Sequence, residues 1–381
     1  MKTVKLNELV DIYLGLTHTP EYVLQGVPFL SVKDISNGNI DFSKCSYITE
    51  EEYNSLPNGA KPQIGDMLFC RVGTIGKPVI IEPNTPKFGS FVSLGYFRLK
   101  KNDLCRLKYL YYWMYSDSFF SQVKKNVKGA SQVNLNTGWL SKFEIPLYSI
   151  EEQEDIISKL EHLDDLISTR KLQLERLDLL VKSRFVELFI GKGYPTKTVD
   201  EVSLGKGEYG AQSASVEYDP TRPRYVRITD INDDGTLNDD VVASINPTDD
   251  EQYKLEYGDF MFARMGATVG KTYAFIEGNQ IFAGYLIRYR LNQELINPRY
   301  LFWYTRLDEY WNWVKLNQSG AAQPGINAKK YGSLQIPLPS IEKQNEFAAF
   351  VEQTDKSKLA VQQSLEKLEM LKKALMQKYF G

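Results

Sequence analysis

The chain has 381 residues, 43 % hydrophobic and 25 % charged, with a formal net charge of −2. This is the balance of a soluble globular protein of two or three domains, and any nucleic-acid-binding surface on it must be local. Three scattered cysteines (Cys45, Cys70, Cys105) and two histidines (His18, His162) exclude a disulfide framework or a zinc site and leave Ser/His/Asp chemistry little to work with. The cysteines read as small buried hydrophobes. No run of 18 apolar residues is present, so no membrane-spanning helix is expected. The opening MKTVKLNELVDIYLG lacks the apolar stretch of a secretory signal, which predicts a cytoplasmic protein.

Along the chain, segment 1–148 reads as a mixed, mostly β domain. Short apolar or alternating runs at 67–72, 78–81 and 92–99 predict strands, and Asn37-Gly38 and Asn58-Gly59 predict turns. Segment 107–123 predicts a helix, with Leu107, Leu110, Tyr111, Met114, Phe119 and Val123 at helical spacing. A local basic stretch runs from Arg98 to Lys128 (Arg98, Lys100, Lys101, Arg106, Lys108, Lys124, Lys125, Lys128), interleaved with Tyr and Trp. It fits either DNA contact or a solvated helix face.

Segment 149–193 differs in kind. From Ser149 to Phe189 there is neither Gly nor Pro. Ile156, Leu160, Leu163, Ile167, Arg170, Leu174, Leu177, Val181, Arg184 and Leu188 alternate by four and three, a heptad seam on a helix roughly 60 Å long. Ser149 followed by Glu151 and Glu152 supplies an N-cap and a first turn suited to the helix dipole.

The chain then repeats itself. GDMLFCRVGTIGK at 65–77 returns as GDFMFARMGATVGK at 258–271. GASQVNLNTGWLSKFEIPLYSIEEQ at 129–153 returns as GAAQPGINAKKYGSLQIPLPSIEKQ at 320–344, and FLSVKDISNGNI at 29–40 returns loosely as YVRITDINDDGTL at 225–237. The spacing is that of a whole domain plus a connector, far longer than a solenoid repeat. Segment 194–339 is therefore a second mixed domain, with strands predicted at 260–265, 272–276 and 285–291 and a helix at 298–315. Segment 340–381 is a second long helix with its own seam: Phe347, Val351, Thr354, Lys358, Val361, Leu365, Leu368, Lys372, Leu375 and Tyr379. Each helix needs a partner for its apolar seam, and the other copy is the nearest. Parallel and antiparallel pairing, or pairing with another protein, stay open on geometry alone.

The Gly-rich stretch GATVGKT at 266–272 has one residue too few for a Walker loop, and the first copy ends in Gly76-Lys77-Pro78 without the Ser or Thr that would hold Mg²⁺. It reads instead as strand, tight glycine turn, strand. Such a turn presents Arg71 with Lys77, and Arg264 with Lys271, to a phosphate backbone. Asn297-Pro298-Arg299-Tyr300 lacks the second Pro of an amino-methyltransferase motif and reads as a helix start. Asp66 and Asp259 recur, each after Gly, in a turn role. Gln132 with Asn136, and Gln323 with Asn327, are able either to read adenine in the major groove or to cap their own loops.

Two domains carrying Gly-Asp-…-Arg-x-Gly-x-x-Gly-Lys, each ending in Ile-Pro-Leu and Ile-Glu-x-Gln before a long helix, resemble the specificity subunit of type I restriction–modification systems. The resemblance spans essentially all of 1–381; its departures are Tyr148 at the second Pro of the first junction and one residue inserted in 264–271. It implies an α+β protein with two mixed, mostly β target recognition domains separated by two long helices that pair as an antiparallel coiled coil with pseudo-two-fold symmetry. The pairing residues are then Ile156, Leu160, Leu163, Ile167, Leu174, Leu177, Val181 and Leu188 against Phe347, Val351, Val361, Leu365, Leu368 and Leu375. The DNA-binding candidates are Arg71, Lys77, Lys124, Lys125, Gln132, Asn136, Arg264, Lys271, Gln323 and Asn327.

The resemblance further implies a non-catalytic reader of double-stranded DNA, one half-site per domain, with the helices setting the gap. Two modification subunits, bringing S-adenosylmethionine, and two restriction subunits, using ATP and Mg²⁺, would join it, and the chain itself would hold no cofactor. Competing readings are a coiled-coil scaffold without a DNA role and a single-chain restriction enzyme; the second is opposed by the lack of methyltransferase and nuclease motifs.

Overall fold

The computed structural model describes residues 2–36, 38–101, 103–126, 134–245, 251–320 and 324–381. The chain divides into two compact units, Met1–Lys171 with Gln363–Gly381, and Leu172–Gln362. Each compact unit takes in part of both long helical segments, 149–193 and 340–381.

The first unit is built on a four-stranded antiparallel sheet in the order Val10–Leu14, Leu94–Leu99, Met67–Cys70, Gly76–Ile80. A three-stranded sheet (Ser46–Ile48, Val27–Leu30, Gly89–Ser90) and a two-stranded ribbon (Lys2–Lys5 with Glu144–Leu147) flank it. The second unit repeats the plan. Its main antiparallel sheet runs Glu208–Tyr209, Leu286–Arg290, Asp259–Ala263, Thr272–Ala274, and its ribbon pairs Thr196–Thr198 with Gln335–Pro337. Its smaller sheet has four strands, gaining Ser215–Glu217 at one edge.

The two aromatic stretches expected as single helices are each broken. Leu107–Trp113 is followed by Asp117–Asn126, and Pro298–Tyr304 by Asp308–Asn317. In the first break Ser116 restarts the helix: its Oγ accepts from Phe119 N at 3.2 Å and donates to Trp113 O. In the second, Thr305 Oγ1 turns inward to Thr272 Oγ1 at 2.8 Å and donates to Phe302 O. Apolar spacing alone does not register such a restart, because the aromatic face continues across it.

The long helices span Ile150–Phe189 and Ile341–Phe380. Their pairing is antiparallel within each unit. In the first unit Lys171 meets Glu369 at 3.2 Å, Arg170 Nε donates to Ser364 Oγ at 3.3 Å, and Lys372 pairs with Asp164. In the second, Lys358 pairs with Asp178, and the rings of Phe185 and Phe347 lie 5.2 Å apart edge to face. Rising numbers on one helix thus meet falling numbers on the other. The polar seam positions Arg170, Lys358 and Lys372 are accommodated because each reaches a partner across the pair.

Ile156, Leu160, Leu163, Ile167, Val181, Phe347, Val351, Val361 and Leu365 are buried along this seam, while Leu174, Leu177, Leu368 and Leu375 are half-buried. Near each helix end the buried set departs from the expected heptad. Phe185 and Phe189 are buried in place of Arg184 and Leu188; Arg184 is exposed and pairs with Glu187, and Leu188 is half-covered. Phe380 is likewise buried where Tyr379 was expected. The cause is an added partner. Phe189 packs against Tyr300 at 4.9 Å as well as Phe347 at 5.5 Å, and Phe380 packs against Tyr109 at 5.0 Å, so the last turns serve the aromatic core of a recognition domain in addition to the helix pair.

Candidate nucleic-acid interface

The Gly-Asp motif folds as strand, turn, strand in both units. Gly73 and Gly76 adopt φ of 73° and 87°, and Gly266 and Gly270 adopt 71° and 91°, values that a side chain resists. The second copy has one residue more, and it completes a short 3₁₀ turn over Gly266–Thr268. The first copy lacks that residue and begins its next strand, Gly76–Ile80, with Lys77 at φ 46°, the one left-handed non-glycine among the described residues. Such a conformation costs roughly 1–2 kcal/mol.

A second motif is zipped onto each turn. Val72 bridges Asn134, and Leu135 N donates to Arg71 O at 2.8 Å. At the equivalent place Met265 bridges Gly325, and Ile326 N donates to Arg264 O at 2.9 Å. Segments some 60 residues apart in sequence are therefore held edge to edge, in the same way, in both units.

The candidate residues divide sharply. Arg71 is half-buried and spent on the scaffold: its guanidinium donates to Leu135 O at 3.2 Å and Val92 O at 3.0 Å, and burial lowers its pKa. Arg264 lies over the Tyr209 ring, 4.7 Å from its centre. Lys271 donates to Ile231 O at 3.1 Å and pairs with Asp233 at 2.8 Å, holding that carboxylate below its usual range. Lys77, Lys124 and Lys125 make no hydrogen bond or ion pair among the described residues; Lys124 and Lys125 are exposed at the end of Asp117–Asn126. Asn136 and Asn327 cap short helices, accepting from Gly138 N at 2.7 Å and Lys330 N at 2.9 Å. The loop-capping alternative therefore describes both asparagines. Gln132 and Gln323 lie outside the described residues, as do Lys128 and Asn37.

Half of the basic stretch of the first domain, four of its eight cations, is paired with acids outside it. Arg98 holds Asp66 through two hydrogen bonds of 2.8 and 2.7 Å, Lys100 pairs with Asp11, Arg106 with Glu154 and Lys108 with Glu161. Asp66 and Asp259 do cap their turns, accepting from Gln63 N and Glu256 N, but each is also a buried carboxylate facing arginine, Arg98 in one case and Arg288 in the other. That pairing has no signal in local sequence, since the partners lie about 30 residues away on a neighbouring strand.

The Gln of each Ile-Glu-x-Gln junction acquires a role that spacing alone did not give. Gln153 is fully buried; its Nε2 donates to Leu104 O and Tyr148 O at 3.1 and 2.9 Å, and its Oε1 accepts from Arg106 N at 2.9 Å. Gln344 does the same with Leu295 O, Pro339 O and Asn297 N, at 3.0, 2.9 and 2.9 Å. Each ties the start of a long helix to the start of the aromatic helix. Tyr109 and Tyr300 add a second tie, donating to Pro146 O and Pro337 O. Among the described residues no group of three or more His, Cys, Asp or Glu side chains is placed to hold a metal ion, and no helix is long and apolar enough to cross a membrane.

A family model described as the type I restriction modification DNA specificity domain matches residues 1–176 and again 199–370. The chain belongs to this family. The repeated motif pair is thus the scaffold of two type I specificity domains, and the chain is a specificity subunit with DNA-recognition domains. Among similar proteins, the putative type I restriction enzyme MjaX specificity subunit of Methanocaldococcus jannaschii is 24 % identical, over 98 % of this chain and 91 % of its own length. The StySPI specificity subunit of Salmonella potsdam is 19 % identical over 99 % and 88 %. A chain from a study of complex assembly and conformational transition in a type I R-M system superposes with a TM-score of 0.63 at 18 % identity, covering 99 % of this chain and 97 % of that one. The type I restriction–modification S subunit from M. genitalium gives 0.58 at 15 %, covering 100 % and 96 %. At these identities the two solved structures speak to the specificity-subunit fold alone.

Proposed function

We propose that this specificity subunit reads a bipartite site in double-stranded DNA, one half with each recognition domain. The paired helices space the half-sites and dock two modification subunits, with two restriction subunits joining in the full complex. The chain acts without catalysis of its own, in the cytoplasm where the DNA is. S-adenosylmethionine, ATP and Mg²⁺ are handled by the partners.

One observation carries the reading: the same motif pair is joined by the same backbone bridge in both units, at Val72–Asn134 and Met265–Gly325, while the charged groups around each turn differ. A common scaffold with divergent surroundings suits two readers of different sequences. The buried Gln ties and matched helix starts, alike in both copies, suit two identical partners.

The test is co-expression with the modification subunit of the same system, followed by mapping of methylated adenines and measurement of duplex binding with and without that subunit. The expected outcome is one split methylated sequence and weak, strongly salt-dependent binding by the chain alone that tightens and gains sequence preference in the complex. Equal affinity and specificity in both preparations would overturn the proposal.

A further inference from the structure

The two turns share a scaffold but differ in electrostatic state. In the second unit both cations are engaged: Arg264 over Tyr209, and Lys271 between Ile231 O and Asp233. Asp233 is itself 95 % exposed, so it stands at the surface with Lys271 drawn toward it. In the first unit Arg71 is spent on the scaffold, but Lys77, half-exposed at a left-handed backbone position, makes no hydrogen bond or ion pair among the described residues, and Lys124 and Lys125 are exposed and unpaired.

The difference extends beyond the turns. Residues 1–149 contain 17 Lys and Arg against 13 Asp and Glu, a net of +4; residues 194–339 contain 15 against 19, a net of −4. Lys315 and Lys329 are unpaired in the second unit, yet they sit in a domain whose overall field repels a polyanion. The whole-chain charge near zero conceals a polarity between its two copies.

From this we infer that the recognition domains divide DNA binding unequally: the first captures the phosphate backbone through Lys77, Lys124 and Lys125, whereas in the second Asp233 occupies Lys271 as a carboxylate stand-in that a phosphate must displace. The inference rests on the DNA-reading function proposed above. Because an exposed ion pair is weak, the stand-in does not block binding. It removes the reward for non-specific contact, so the second domain engages when its own half-site supplies the remaining interactions. The first domain then sets where the chain lands and the second decides whether it stays.

The experiment measures binding of the full chain to a scrambled-sequence duplex as a function of salt, for wild type, Lys77→Gln, Lys271→Gln, Asp233→Asn and the double variant Asp233→Asn/Lys271→Gln. Each phosphate contact contributes about 0.9 to the slope of log affinity against log salt. Lys77→Gln should lower the slope by about 0.9. Lys271→Gln should leave it nearly unchanged, Asp233→Asn should raise it by up to about 0.9, and the double variant should return it to the wild-type value. Asp233 is fully exposed to solvent, so its replacement leaves the fold intact, and Lys77→Arg should restore the lost slope. Equal slope loss from Lys77→Gln and Lys271→Gln, or no response to Asp233→Asn, overturns the unequal division alone. No salt-dependent binding by wild type overturns the DNA-reading function and the division with it.

Discussion

At the scale of single residues, the family signature separates into groups that build and groups that are free to bind. Gln153 and Gln344 belong to the first class. Each is itself buried and satisfies three backbone groups, and leaving buried polar groups unpaired costs roughly 1–3 kcal/mol apiece. Replacing Gln153 with Leu should therefore lower stability by about 3 kcal/mol or more. Gln344→Leu should cost the same, because its three partners are equivalent. Chemical denaturation of the two variants checks this; a loss below about 1 kcal/mol in either would show that water or a neighbour takes over the orphaned groups. The sequence displayed this Gln twice at one spacing but not its use, because its partners, Leu104 and Leu295, are fixed only when the chain has folded back some 50 residues. Arg71 was legible as a turn cation and illegible as a scaffold cation for the same reason: its acceptors are carbonyls at Val92 and Leu135.

At the scale of elements, the long helices were the most readable part of the chain. Their extent follows from the absence of Gly and Pro and, for the first, from the Ser149 cap, and the observed spans begin and end within a few residues of expectation. What periodicity misjudged was the last two turns, where the helix adds the aromatic core of a recognition domain to its helical partner. The distinction is measurable. Phe185→Ala removes a fully buried ring packed on Tyr300 and Phe347 and should cost about 3–5 kcal/mol, whereas Arg184→Ala, at the position the heptad nominated, should stay within about 0.5 kcal/mol. Thermal or urea unfolding of both variants distinguishes the two registers; a larger effect at Arg184 would restore the uninterrupted heptad. The broken aromatic helices are the converse case. There the apolar face was correctly seen, and the break was missed because it is made by hydroxyls of Ser116 and Thr305 that leave the pattern of large residues untouched.

For the whole molecule, duplication gives two units with the same ties and the same bridges, whose recognition segments 1–149 and 194–339 carry opposite net charge. If the helices space the half-sites, lengthening both should lengthen the gap without altering either half-site. Seven residues keep the antiparallel seam in phase and add about 10.5 Å, close to three base pairs of 3.4 Å. Insertion of one heptad within 165–175, with a matching heptad within 361–371, should move the methylated adenines apart by about three base pairs. Genome-wide methylation mapping reads the result directly; a changed half-site with an unchanged gap would remove the helices from the role of spacer.

The burial of Phe380 against Tyr109 also bears on how the protein is made. The first compact unit includes residues 363–381, which leave the ribosome after the whole of the second unit. Domains of a nascent chain commonly complete folding from the amino-terminal end onward. Here that order is inverted. The second unit has all of its parts once residue 362 has emerged, while the first must wait with its aromatic core uncapped until residues 363–381 have emerged as well.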